Sequence, residues 1–231
     1  MKPSVRSAVN DGPGPAFDIY HSIRILACTI LMQVICMSRE REESNSGVHL
    51  LPLPHYRLSR LQELHGRRPV LATFNLINGA VSIALIATLA LITQEALIFP
   101  SLGATAFILF YVPMAEPASP RNTIIGHLIG ALAGFLALAL FGLLDAPSAV
   151  ANGVGAARVG AAALSLGVCG AFMILLRSPH PPAGATALIV SLGLMPHPEQ
   201  LPVLMAGVVL LVGQAFLMNR LAGIPYPLWR S

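Results

Sequence analysis

The chain has 231 residues, 55% of them hydrophobic and only 10% charged, with a mean hydropathy of +0.72. A soluble globular domain carries roughly 25% charge, so the composition excludes one and predicts an all-α polytopic membrane protein whose first partner is the lipid bilayer. The formal net charge is +4, but the basic residues form no face interleaved with aromatics, which argues against a nucleic-acid partner.

Residues 1-70 hold most of that charge. Lys2, Arg6, Arg24, Arg39, Arg41, Arg57, Arg60, Arg67 and Arg68 all precede residue 70, partly offset by acids. The apolar run from Ile25 to Met37 is too short to cross a hydrocarbon core about 30 Å thick. Nothing like a cleavage site separates it from the following SRERE. We expect a basic, partly disordered cytoplasmic extension held near anionic lipid, with Arg67 and Arg68 marking the inner end of the first crossing.

Long apolar runs follow at Leu71 to Ile92, Thr123 to Leu144, Ala157 to Leu176 and Leu201 to Met218. Each is long enough, or nearly so, to span a bilayer. Between them lie two runs broken by proline, Glu95 to Val112 and Pro181 to Met195. Proline cannot sit inside a continuous helix, so each short run predicts a helix covering about half to two thirds of the bilayer. The two resemble each other: Pro100 matches Pro181, and Gly103-Ala104-Thr105-Ala106 matches Gly184-Ala185-Thr186-Ala187. The chain therefore reads as a duplication, with units at about 71-144 and 157-220.

Charge decides whether the short runs cross. If both do, inner loops hold Arg67, Arg68, Arg121, Arg177, Arg220 and Arg230, and outer loops hold Glu95, Asp145 and Glu199, leaving Arg158 as the one misplaced base. If neither does, the asymmetry disappears. Six crossings with both termini cytoplasmic follow from this count, and we expect the membrane to be a cell inner membrane. Three crossings per unit turn the second unit upside down relative to the first, an inverted repeat of four long and two short helices.

Function is expected where the two broken helices begin. Pro100, Pro181 and Pro182 suit a first helical turn, and the free N–H groups after them offer an anion site without a buried cation. This places Ser101, Gly103, Thr105, Pro181, Pro182, Gly184 and Thr186 on a substrate pathway. Equally, the small residues there could serve helix packing alone. His127 lies early in a long helix after an expected Ser119 N-cap and Pro120 start. Its imidazole, like that of His180, is open to proton coupling, to anion contact or to a structural bond with a loop carbonyl. Gly126, Gly130, Gly134 and Gly142 recur at multiples of four and predict a close-packing stripe. Asn75 and Asn78 would project to one side, either bonding across helices, which we favour, or lining the pathway.

Cofactor and catalytic chemistry find little support. Cys28, Cys36 and Cys169 lack zinc spacing and read as free thiols, there is no Gly-rich dinucleotide fingerprint, and His127, His180 and Glu116 have no ligand spacing. Ser101 lacks a nucleophile-elbow context. We therefore expect no cofactor, no metal and no enzyme.

HPPAGATAL from His180 to Leu188, preceded in order by EPASPRNTIIGH from Glu116 to His127, resembles the HPP family of integral membrane proteins. The resemblance runs from about Leu71 to Arg220. It implies a small transporter domain over 71-220, with nitrite as a candidate small anion, and leaves 221-231 as a cytoplasmic C-terminal tail. Two functional classes remain open: a carrier or channel-like facilitator, and a non-transporting subunit docking a partner through the glycine stripe and the basic tail. So few crossings also suggest a homo-oligomer.

Reporter fusions after Asp145 and after Met218 are expected to report opposite compartments. Finding both on one side overturns the six-crossing topology.

Overall fold

The computed structural model describes residues 57–229; the run Ile25 to Met37, Cys28 and Cys36 lie outside the described residues. Among those described there are helices and no strands. Helix α1 (Arg57–His65) precedes α2 (Arg67–Thr93), α3 (Pro100–Tyr111), a 3-10 turn (Glu116–Ala118), α4 (Pro120–Leu140), the short α5 (Ala149–Asn152), α6 (Ala156–Leu175), α7 (Pro182–Ser191) and α8 (Gln200–Leu221). Helices α2, α4, α6 and α8 are long and apolar enough to cross a membrane, while α3 and α7 are shorter apolar helices. At 1.5 Å per residue the 12 residues of α3 and the 10 of α7 rise about 18 and 15 Å.

Local chemistry sets these ends. Pro100 opens α3 after an extended Phe99, where the missing N–H costs nothing. Ser119 caps α4, its hydroxyl accepting from the Asn122 N–H at 3.4 Å, and Pro120 is the first helical residue. The expected run to Leu144 stops earlier. Helix α4 ends at Leu140, and Gly142 follows in the left-handed region at φ 64°.

Helix directions follow from which residues face each other. Along α4 and α7, Gly126 faces His180 and Ala183, Gly130 faces Ala183 and Ala187, and Gly134 faces Ala187 and Val190. The numbers rise together, so α4 and α7 run parallel. Gly207 of α8 faces Leu97 and Leu102, and the Asn219 side-chain amide donates to the Leu109 carbonyl, so α8 runs parallel to α3. Helices α3 and α7 oppose each other: Thr105 meets His180 and Ser101 meets Thr186. It follows that α4 and α8 are antiparallel, the relation that three crossings per unit demand; re-entrant short helices would make them parallel.

The two units also exchange helices. Helix α4 packs on α6 and α7 of the second unit, and α8 packs on α2 and α3 of the first. The larger core gathers Ile86, Leu102, Leu109, Phe110, Leu204, Val208 and Leu211, and a smaller one gathers Ala133, Cys169, Ala183 and Ala187. Beyond α8 the chain folds back: Tyr226 is fully buried, its hydroxyl donates to the Ala118 carbonyl, and the Arg121 N–H donates to the Trp229 carbonyl. Part of the segment expected as a tail is thus packed against the helices.

The glycine stripe binds α4 to α7. A Cβ at Gly126 would lie 2.7 Å from the His180 side chain, and one at Gly134 2.7 Å from the Ala187 carbonyl oxygen and from Val190. At Gly130 it would run into the Ala183 carbonyl oxygen, a rigid neighbour that cannot yield. Gly142 lies beyond the helix with open space around it and does not belong to the stripe.

Gly130→Leu is expected to destabilise the fold by about 1–3 kcal/mol or more through overpacking, while Gly103→Leu, where an added Cβ meets nothing within 4 Å, is expected to stay folded. Thermal melting and size-exclusion profiles in detergent test the contrast; equal behaviour refutes the stripe's role.

Candidate functional site

Two short helices that meet head to head bring polar side chains to one point. Thr105 lies one turn after Ser101 on α3, and Thr186 one turn into α7. His127 comes from the second turn of α4, and His180 from the segment before α7. Ser101 is 2% exposed and Thr105, His127, His180 and Thr186 are all 0% exposed. In an apolar interior such groups are costly unless bonded, and here they bond one another.

The chain of contacts is continuous. The His180 Nδ1–H donates to the Pro117 carbonyl at 2.7 Å. The other ring nitrogen, Nε2, lies 3.2 Å from the Thr105 hydroxyl. That hydroxyl is also 2.9 Å from the Ser101 carbonyl and 2.8 Å from His127 Nε2. His127 Nδ1 is 2.7 Å from the Thr186 hydroxyl, which is 3.0 Å from the Ser101 hydroxyl. The two rings sit with centroids 4.9 Å apart and tilted by 57°.

Most of the residues named from sequence therefore converge. Gly184 and Pro182 are buried, Gly184 with Leu166 over it. Gly103 departs from the expectation: it is exposed with nothing over it, so only one of the paired glycines is buried. Pro181 is exposed as well. The backbone N–H groups also behave differently from expectation. Those of Ala183 and Gly184 donate to the His180 and Pro181 carbonyls, and that of Leu102 donates to the Phe99 carbonyl. Hydroxyls and imidazoles, not first-turn N–H groups, join the two helix starts.

Asn75 donates to the Phe107 carbonyl of α3 at 3.1 Å, across helices as expected, whereas Asn78 turns back to Phe74 of its own helix.

Arg158 has a role that the sequence patterns did not reveal. It is 4% exposed, and its guanidinium donates to the Ser191, Ala146 and Pro147 carbonyls at 3.1, 3.4 and 2.7 Å. Helices end on unpaired carbonyls with partial negative charge, and Arg158 caps α7 in this way. Arg121 likewise donates to the Leu176 and Arg177 carbonyls at the end of α6. A basic residue two positions into a helix that follows a loop was the available signal. Among the described residues no group of three or more His, Cys, Asp or Glu side chains is placed to hold a metal ion.

Residues 65–227 match the family described as HPP, transmembrane region. One transmembrane protein of Dictyostelium discoideum is 36% identical over 104 residues, covering 45% of this chain and 33% of that protein. A second transmembrane protein of the same organism is 36% identical over 89 residues, covering 38% of this chain and 25% of its own. The match thus spans a third or less of these relatives' length. No solved structure matches the chain.

Thr105 is the shared partner of both rings, so its removal and that of His127 should not add. In a double-mutant cycle of Thr105→Val and His127→Asn, the pair is expected to cost less than the sum of the single changes by about 0.5–3 kcal/mol. Simple additivity in thermal melting shows that the network is not a unit.

Proposed function

This chain belongs to the HPP transmembrane-region family, and on that footing we propose that it is a carrier or channel-like facilitator of a small anion, with nitrite the first candidate. The observation that supports this reading is the buried convergence of Ser101, Thr105, His127, His180 and Thr186 between two antiparallel proline-led helices. Polar groups within a membrane domain are costly to keep and mark substrate pathways. Broken helices facing each other from inverted repeats are where many transporters bind their substrates.

The cluster also suits an anion chemically. The Ser101 and Thr186 hydroxyls spend one bond on each other; an anion entering between them would exchange that bond for two donors, with an imidazole N–H as a third. The N-terminal ends of α3 and α7 add favourable partial charge. Ser101 has no carboxylate-oriented base among its bonded partners, which favours a carrier over a hydrolase. The competing reading, a docking subunit, relied on the glycine stripe and the basic tail; α7 covers the stripe, and most of the basic tail lies outside the described residues. We place the protein in a cell inner membrane with both termini cytoplasmic, supported by the charge asymmetry of the loops and by the antiparallel course of α4 and α8.

Uptake into proteoliposomes of purified protein, comparing nitrite, nitrate, chloride and formate, tests this function. Thr186→Val is expected to weaken anion binding by about 1.5–3 kcal/mol, one hydrogen bond to a charged group, and to lower flux at subsaturating anion. Unchanged flux in folded Thr186→Val protein, or no protein-dependent flux of any of the four, refutes the proposal.

A further inference from the structure

The polar cluster has more contacts than protons. Both imidazoles being neutral, it holds five polar hydrogens: one on each ring and one on each of the Ser101, Thr105 and Thr186 hydroxyls. It shows six contacts, running from the Pro117 carbonyl to the Ser101 hydroxyl. The shortage can be located. A carbonyl only accepts, so the proton of a neutral His180 must be on Nδ1, facing Pro117, and its Nε2 is bare. The Ser101 carbonyl also only accepts. Thr105 must therefore serve two acceptors, His180 Nε2 and the Ser101 carbonyl, with a single hydroxyl hydrogen, and this holds for either tautomer of His127.

One added proton removes the conflict. With His180 protonated on Nε2, that N–H donates to Thr105, and Thr105 donates to the Ser101 carbonyl. His127 Nε2–H then supplies the second bond that Thr105 accepts. The Thr186 hydroxyl donates to His127 Nδ1, and the Ser101 hydroxyl donates to Thr186. All six contacts become proper hydrogen bonds in a single assignment.

We infer that His180 Nε2, facing Thr105, is the site of a transported proton, and that the protein moves a monovalent anion together with one proton. This inference rests on the anion-transport reading above. An imidazolium with no exposure is costly unless countered. Among the described residues no charged side chain bonds either ring: their partners are hydroxyls and one carbonyl. Among the charged groups on the elements around His180, Glu116 of the 3-10 turn and Arg177 after α6 are exposed, and the Arg121 guanidinium of α4 is directed to the Leu176 and Arg177 carbonyls. Proton and anion therefore stabilise each other in the cluster, and neither loads well alone. The proton arrives from water on the entry side, rides on Nε2 and returns to water with the anion on the exit side; no bond of the anion is made or broken. The substrate class is thereby narrowed to monovalent anions, whose single charge one proton on the imidazole compensates without a second ion.

Nitrite uptake and lumenal pH, followed together in proteoliposomes carrying a trapped pH dye, test this, with protein-free vesicles subtracted and the membrane potential set by potassium and valinomycin. The expected result is one proton entering per nitrite, acceleration by an inwardly directed proton gradient, and a rate unaffected by the potential. His180→Gln keeps a donor for Thr105 that it cannot release, and is expected to lose that acceleration. Nitrite uptake driven by an inside-positive potential without lumenal acidification overturns the coupling and leaves the transport function standing. Gradient acceleration retained in His180→Gln overturns the assignment to His180. Absence of protein-dependent flux for any of nitrite, nitrate, chloride and formate removes the transport function and the coupling with it. The wild-type proton-to-nitrite ratio decides the coupling even if the variant fails to insert.

Discussion

Everything in this molecule depends on a requirement that apolar surroundings impose: a polar group out of reach of water must find its partner within the protein. Five such side chains meet where the two short helices begin, and each of them bonds beyond its own helix. Ser101 and Thr105 come from the first unit, Thr186 from the second, and the imidazoles bridge them. The bonds that satisfy them are the same bonds that hold one unit against the other. Chemistry and architecture therefore share residues here, and a change to one is felt by both.

Close approach of backbones makes this meeting possible. Helix α4 reaches α7 because Gly126, Gly130 and Gly134 present no side chain, and the first of these lies directly against His180. Without a driving force from water, membrane helices associate through such packing. Arg158 fixes the other end of α7 by donating to the Ser191 carbonyl and ties it to the Pro147 carbonyl of the preceding loop.

Much of this is legible in the amino-acid sequence. Prolines, small residues and threonines at matching offsets disclose the duplication, and the long apolar runs locate all four long helices to within a few residues. Ser119 and Pro120 announce the start of α4 correctly. The site is legible only as a set of names. His127 and His180 are separated by 53 positions, and no periodicity states that their rings adjoin. Equal sequence also conceals unequal surroundings: Gly103 and Gly184 occupy matching places in the repeat, yet only Gly184 is covered, by Leu166 of α6 in its own unit, while nothing lies over Gly103. Asn78 departs from expectation for a similar reason, since the Phe74 carbonyl one turn back on its own helix is within its reach. Short-range signals such as caps and breaks survive in a sequence, whereas pairings between distant segments do not.

The exchange of α4 and α8 between the units divides the molecule along a line different from the duplication. One group comprises α2, α3 and α8; the other comprises α6, α7 and α4. Within the second group α4 and α7 meet backbone against backbone, as rigid as packing allows, while the polar cluster lies on the seam between the groups. Were the cluster exposed to one face of the membrane and then to the other, as the proposed transport requires, the groups would rock against each other along that seam, which α4 and α8 also share. The chain passes from one body to the other through residues 112–119 and 192–199. A hinge for such a motion would be built from those two connectors, and the first of them carries the Pro117 carbonyl that holds His180.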